Sequence, residues 1–474
     1  MGKLTDRREQ WLPNETDFVS SGKGRPAKRP NIVFILADDL GWGDVGSYGS
    51  LHNNTPAIDR IAAGGLRFTH GYSGSATCSP TRISLYTGRY PGRIPAGLQE
   101  PIVTRDDKTG IPHEHPTLPS LLKDGGYKTA MFGKWHAGFL PWFSPIKIGF
   151  EEFFGNLDGA MDYFSHIDSS GKPDLYEGET PVEEVGYYTE LISDRAVRYI
   201  EDYDSDQPFY LQINYTAPHW PWEGPQDQAT SAKVTAAMQS NPLTALFHFE
   251  GGSLETYQRM VASMDEGIDR VLNALAAKGV SDDTIIVFTS DNGGERFAFL
   301  WPFVGEKGDL EEGGIRVPLI IRWPGAIPGG RVTDVPVVTM DLTASLLDAA
   351  GVSPDANYPL DGQTLLPWLL DRDASPTRVL RWRTREQGAI RKDRFKLLFD
   401  RQAKPLWGNL PVAPGPRTRL FDVTSEGREK ADLILDFPEV AAELLAEWER
   451  FDSELLPYPE RFPPGDPRTV VRPD

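Results

Sequence analysis

The run Asn31 to Ala37 (NIVFILA) is short, almost continuously apolar and rich in β-branched residues, which predicts a strand buried on both faces. It ends at Asp38-Asp39, and a loop carrying Gly41, Gly43, Gly46 and Gly49 follows. Thr55 to Ala63 reads as a short helix with Pro56 just inside its start and Gly64-Gly65 at its end. Leu118 to Lys123 repeats that design, and strands are predicted over Lys128–Phe132 and Phe209–Asn214. Glu255 to Lys278 carries Met260, Met264, Ile268, Val271, Leu272 and Leu275 at three- and four-residue spacing, the single apolar stripe of a long helix. A strand of the first type, Asp283 to Ser290, comes next. Strand–helix–strand alternation of this kind predicts an α/β fold, a large mixed sheet sandwiched by helices.

After about residue 375 the pattern changes. Val379–Arg385, Gly388–Ile390 and Phe395–Phe399 are short alternating runs with tight connections, which predicts a small antiparallel sheet. Val440–Phe451 is an amphipathic helix, and a Pro-rich tail begins at Pro457. The expected division is an N-terminal arm over 1–30, a catalytic α/β domain over 31–374 and a small α+β domain over 375–474.

Composition narrows the function. With 49 Lys and Arg against 68 Asp and Glu in 474 residues, the net charge of −19 opposes binding to nucleic acid or to an anionic membrane. The polar, basic first thirty residues hold no apolar leader, and no run is long enough to span a bilayer. A cytoplasmic protein is the expectation. The arm and tail are compatible with a homo-oligomer. The lone cysteine, Cys78, excludes a disulfide framework and any multi-thiolate metal site.

Chemistry is expected where the buried strands end. Asp38-Asp39 and Asp291-Asn292 each follow such a strand, and ligands of open α/β sheets collect at the carboxyl ends. Three carboxylates and an amide oxygen are hard donors suited to Ca²⁺ or Mg²⁺. Singly, each pair also reads as a surface turn; together, at two strand ends, they read as a metal site. Cys78 alone reads as a small buried hydrophobe. Its small polar neighbours, Arg82 one helical turn on, and the predicted helix start near Pro80 point instead to an anion site.

Cys78-Ser79-Pro80-Thr81-Arg82, followed by Ser84-Leu85-Tyr86-Thr87-Gly88-Arg89, resembles the hallmark segment of type I sulfatases of the alkaline phosphatase superfamily. Asn31 to Gly41 resembles the family's first strand and metal loop. Gly133-Lys134-Trp135-His136, Thr216-Ala217-Pro218-His219, Ser290-Asp291-Asn292-Gly293-Gly294 and Gly305-Glu306-Lys307-Gly308 match its other site motifs in order. Gly313 to Pro318 and Leu420 to Val423 match two structural landmarks.

The resemblance implies hydrolysis of small-molecule sulfate esters of arylsulfatase type. It implies that a maturation enzyme oxidises Cys78 to formylglycine, whose hydrated aldehyde is the nucleophile. Asp38, Asp39, Asp291, Asn292 and the modified residue 78 would hold one divalent ion, Ca²⁺, with Mg²⁺ or Mn²⁺ as alternatives. Arg82 would fix the nucleophile, Lys134, His219 and Lys307 would surround the sulfate, and His136 would take a proton from the second hydroxyl. His219 or Lys307 would protonate the leaving alcohol. The alternative is a phosphonate monoester or phosphodiester hydrolase using the same site. Family members resembling this chain include exported proteins, so the absent leader is a departure. His52, His70, His113, His115, His166 and His248 fall outside every motif. Trp142, Phe143, Trp220 and Trp222 follow closely on Lys134–His136 or His219 and read equally as a pocket mouth or as packing.

Overall fold

Asn31–Ala37 is buried at all seven positions, as a strand sandwiched between two layers must be. In the computed structural model, which describes residues 28–371, 373–401, 417–425 and 427–459, this strand lies near the middle of a ten-stranded sheet. It pairs in parallel with Thr284–Ser290 on one side and Phe209–Asn214 on the other. Lys128–Gly133 and Glu152–Gly155 extend the parallel run. Leu319–Arg322 joins antiparallel beyond Thr284–Ser290, followed by Leu66–Phe68 and Arg331–Thr333, and a short hairpin, Tyr176–Glu177 with Thr180–Pro181, forms the other edge. The sheet is therefore mixed, as expected.

Period-two alternation sends each strand's side chains into two cores. Ile32, Phe34 and Leu36 join Leu342 and Leu346 on one face, while Val33, Ile35 and Ala37 join Met260, Met264 and Ile268 on the other. The long helix runs Leu254–Ala277, one residue earlier than its stripe predicts, because Ser253 caps it by accepting the Thr256 N–H at 3.1 Å. Two helices that the pattern does not announce, Tyr188–Asp202 and Thr339–Ala350, complete the layers.

The small sheet is antiparallel, with Val379–Arg383, Gln387–Lys392, Phe395–Asp400 and Thr418–Asp422 in sequence order and the helix Pro438–Ser453 against it. This sheet begins at Val379, a few residues beyond the expected change of pattern at about 375. Its apolar cluster nonetheless crosses that line, because Leu380, Trp382 and Leu420 pack with Tyr72, Tyr90, Leu310 and Ile315 of the larger part. Arm residues 1–27 and tail residues 460–474 lie outside the described residues. Among the described residues no helix is long and apolar enough to cross a membrane.

Candidate active site

Four adjacent parallel strands, Thr284–Ser290, Asn31–Ala37, Phe209–Asn214 and Lys128–Gly133, end at one level. Ala37 stands opposite Ser290, and Asn214 opposite both Leu36 and Gly133. The residues that follow, Asp38, Asp291 and Lys134, therefore emerge side by side, with His136 and His219 a few residues further along. Gly133 is obligatory in that alignment, for at φ +113° a Cβ would fall 1.9 Å from the Asn214 carbonyl oxygen. Asp39 and His136 also hold left-handed backbone, at φ 61° and 52°, an uncommon conformation that clusters at functional sites.

Cys78 opens the helix Cys78–Thr87, and all ten residues of that helix are buried. One turn on, Arg82 ties the strand ends together. Its Nε and Nη2 donate to Asp291 Oδ2 at 3.0 and 2.8 Å, its Nη1 to the Lys134 carbonyl at 2.9 Å, and Nη2 lies 3.6 Å from Asp38 Oδ2. The guanidinium expected to fix the nucleophile is thus committed to the strand ends, and acts on Cys78 through its charge. Lys134 Nζ donates to Asp38 Oδ2. Lys307 Nζ donates to Asp39 Oδ2 at 2.7 Å, while the neighbouring backbone N–H groups of Lys307 and Gly308 bond the carbonyls of Gly294 and Ala76. One loop therefore fixes a cation against both the metal loop and the segment leading to Cys78.

Burial sets the protonation of the site. It pushes Asp38 and Asp39 up to about 7, with the charge of Asp291 adding to both and Lys134 and either Arg82 or Lys307 opposing. Asp291 is held below the ordinary carboxylate range, because Arg82, Lys134 and Lys307 together outweigh its desolvation. Burial and the nearby lysines push His136 and His219 well below the usual imidazole range. Burial also pushes the Cys78 thiol up, which leaves it a neutral and weak nucleophile.

The residues present fit a divalent cation. Donor atoms of Asp38, Asp39, Cys78 and His219 lie within 4.8 Å of one another. Asn292 Nδ2 donates to Asp39 Oδ1 at 2.7 Å, so the amide presents its oxygen; Asn292 Oδ1 and Asp38 Oδ1 are both buried with no hydrogen-bond partner. Unpartnered hard oxygens beside crowded carboxylates are what Ca²⁺ or Mg²⁺ satisfies. Asp291 belongs to the same cluster, its Oδ1 accepting the Asp39 N–H at 3.3 Å.

His136 Nε2 lies 2.8 Å from the Ile102 carbonyl, which only accepts, so Nε2 carries the proton and the buried Nδ1 is left unprotonated and unpartnered. His219 Nδ1 likewise donates to the Trp220 carbonyl at 2.7 Å, turning Nε2 toward Asp39 Oδ2 at 3.6 Å. All ten residues expected in the site converge here. Sequence reasoning missed Glu295, 3.7 Å from Lys307 Nζ, although its carboxylate directly follows the Asp291–Gly294 motif. It also missed Tyr163, whose hydroxyl donates to the His219 carbonyl at 2.8 Å and has no local sequence signal. The aromatic residues divide. Trp220 packs on His219 with ring centroids 4.2 Å apart and Trp222 is buried, while Trp142 is exposed and the Phe143 carbonyl accepts from the Trp135 indole.

A family profile described as Sulfatase matches residues 30–352. Arylsulfatase J of Mus musculus is 30% identical over 491 aligned positions, covering 94% of this chain and 79% of that protein. N-acetylgalactosamine-6-sulfatase of Mus musculus is 34% identical over 381 positions, covering 74% and 68%. The crystal structure of Ps i-CgsB in complex with k-i-k-neocarrahexaose superposes with a TM-score of 0.79 at 30% identity, over 92% of this chain and 95% of that one. Phosphonate monoester hydrolase of Agrobacterium radiobacter, at 22% identity and a TM-score of 0.61, over 90% of this chain and 96% of that one, shares the fold alone. The chain belongs to the sulfatase family of the alkaline phosphatase superfamily and is a sulfuric ester hydrolase.

Proposed function

We propose that the protein cleaves sulfate monoesters, of arylsulfatase type, to an alcohol or phenol and inorganic sulfate, with residue 78 acting as formylglycine. The observation that carries this reading is the buried Cys78 at the start of its helix, within the field of Arg82, Lys134 and Lys307. A thiol in that place is a poor nucleophile, whereas hydrated formylglycine offers one hydroxyl to attack sulfur and a second to lose its proton as sulfate departs. Asp38, Asp39, Asp291 and Asn292 would hold a divalent cation, Ca²⁺ by donor chemistry, which supplies fixed positive charge for an anionic reaction. Lys134, bonded to Asp38, and Lys307, bonded to Asp39, would bring donors to the sulfate oxygens. His136 Nδ1, its ring fixed through Ile102, is the nitrogen free to accept a proton from residue 78. His219 and Lys307 face one oxygen of Asp39; Lys307 carries the proton it would give to the leaving oxygen, whereas His219, its proton on Nδ1, would first have to gain one at Nε2.

Co-production with a formylglycine-generating enzyme tests this. Intact mass should fall by about 18 Da, the exchange of a thiol carbon for an aldehyde, and Cys78→Ala should abolish turnover while leaving the melting temperature nearly unchanged. A fully active preparation that retains the thiol throughout sinks the formylglycine chemistry. A larger kcat/KM for 4-nitrophenyl phenylphosphonate than for 4-nitrophenyl sulfate sinks the preference for sulfate.

A further inference from the structure

We propose that residues 100–105 form a strap that decides which nitrogen of His136 carries the proton, with Arg105 as the positioning residue at one end; this rests on the reading of His136 as proton acceptor.

The peptide of Ile102 joins the helix of residue 78 to the imidazole. Its N–H donates to Ser79 Oγ at 2.7 Å, one residue after Cys78, and its carbonyl accepts His136 Nε2–H at 2.8 Å. The partner of one ring nitrogen sets the tautomer of the whole ring, and here it leaves Nδ1 bare. That effect belongs to the backbone at 102, so it depends on what holds the segment on either side. Val103 and Thr104 are exposed and give it little support.

Arg105 supplies the support and ties the strap to the other wall of the ring. Its Nη1 donates to Asp168 Oδ2 and, at 3.0 Å, to Asp174 Oδ1, and its Nη2 donates to the Tyr176 hydroxyl at 2.7 Å. Both carboxylates are buried. The second oxygen of Asp174 accepts the N–H groups of Leu157 and Asp158, at 3.0 and 2.8 Å. The Leu157 carbonyl in turn accepts the His136 N–H at 3.2 Å. Gly159 backs onto the imidazole so closely that a Cβ there would fall 2.5 Å from Cε1 and 2.6 Å from Nε2. One ion pair, Arg105 with Asp174, therefore links the strap on one side of His136 with the turn 157–159 on the other. At the opposite end of the strap, Glu100 accepts the Tyr458 hydroxyl and, at 3.0 Å, the Arg385 N–H.

An arginine near an anion site also invites a reading as an attractor of substrate. The charge of Arg105 is committed to two buried carboxylates, so its influence passes through His136. His136 takes its proton as sulfate departs, after the alcohol has left. Displacing the strap should slow that later step and spare cleavage of the ester bond.

The test is Arg105→Gln, which keeps an amide donor but loses the charged fork, on formylglycine-verified protein with 4-nitrophenyl sulfate. Both kcat and KM should fall together by about tenfold, leaving kcat/KM within about twofold, with an initial burst of about one 4-nitrophenol per active site. Unchanged kinetics overturn the proposal, and so does a raised KM with lowered kcat/KM, which would mark Arg105 as an attractor of substrate. Should Arg105→Gln fail to fold, Tyr458→Phe decides from the other end of the strap: kcat and KM should fall together by about threefold, and no change overturns it. His136→Ala should show the same joint fall more strongly; if it does not, or if no sulfate ester is turned over, the functional reading fails instead. The strap is then judged without turnover, by nitrogen NMR of histidine-labelled protein with Cys78 unmodified. His136 should be protonated on Nε2 in the parent and on either nitrogen in Arg105→Gln, and a tautomer that the substitution leaves unchanged overturns the strap.

Discussion

Glu312, Glu429 and Lys396 form a buried ion cluster where the small sheet meets the large one, and Asp38, Asp39, Asp291, Arg82, Lys134 and Lys307 form another at the strand ends. In the first, every carboxylate oxygen lies against a cation or a donor, Glu429 Oε1 as an ion-pair contact with Lys396 and not as a hydrogen bond. Lys396 Nζ lies 2.9 Å from both Glu312 Oε1 and Glu429 Oε1, Arg316 Nη1 and the Tyr72 hydroxyl reach Glu312 Oε2 at 3.0 and 2.8 Å, and Glu429 Oε2 accepts the Glu312 N–H at 2.6 Å. Burial works against the Glu312 carboxylate, but Lys396, Arg316 and Arg391 together pull it down to about 2. In the second cluster cations and carboxylates are equal in number, and burial pushes Asp38 and Asp39 up to about 7 as it does Glu429 in the first, but here Asp38 Oδ1 and Asn292 Oδ1 meet neither a cation nor a donor. Buried charge that is fully paired holds parts together, and buried charge left short of a partner is arranged for something that arrives. The segment 305–316 belongs to both, with Lys307 at one end and Glu312 near the other.

The sharpest way to break this contrast is Asp291→Ala, which removes a proposed metal ligand and the partner of Arg82 together. It should lower kcat/KM for 4-nitrophenyl sulfate by about a thousandfold or more on formylglycine-verified protein. Activity within tenfold of the parent would mean the strand-end cluster is merely structural. Lys396→Met should act in the opposite register, costing about 3–5 kcal/mol in urea unfolding because two buried carboxylates lose their cation, while kcat per folded molecule changes little. Collapse of kcat with unchanged stability would erase the distinction. The smallest effect is in acid. Glu312 has a folded value of about 2 below its ordinary 4.5, so the stability it contributes is complete above 4.5 and drains as pH falls toward 2. Between pH 5 and 3 the wild type should lose more stability than Glu312→Gln, and equal losses would detach Glu312 from the balance.

Where apolar pattern was strong, the sequence was legible. The strand Phe209–Asn214 has the bounds its pattern predicts, and Thr284–Ser290 differs by one residue. The helix Tyr188–Asp202 escaped because half its buried stripe is Thr189, Ser193 and Ala196, which dilutes the apolar period. Thr339–Ala350 escaped for the opposite reason: it is buried almost all round and has no polar face to set a period. The site was legible because its residues follow strands in short motifs. Glu295, Tyr163 and the strap at Ile102 depend on contacts between distant segments, which no spacing along the chain displays.

Cys78 is 1% exposed, and the helix it opens is enclosed along its length. Another protein can therefore grasp this thiol only while the chain is still open, before the strands close over it. If residue 78 must be oxidised for activity, oxidation and folding are rival fates for each newly made molecule, and folding ends the contest. A molecule that closes first is sound, stable and permanently idle. The active fraction of any preparation would then record timing during synthesis, and no improvement in the stability of the finished protein would raise it.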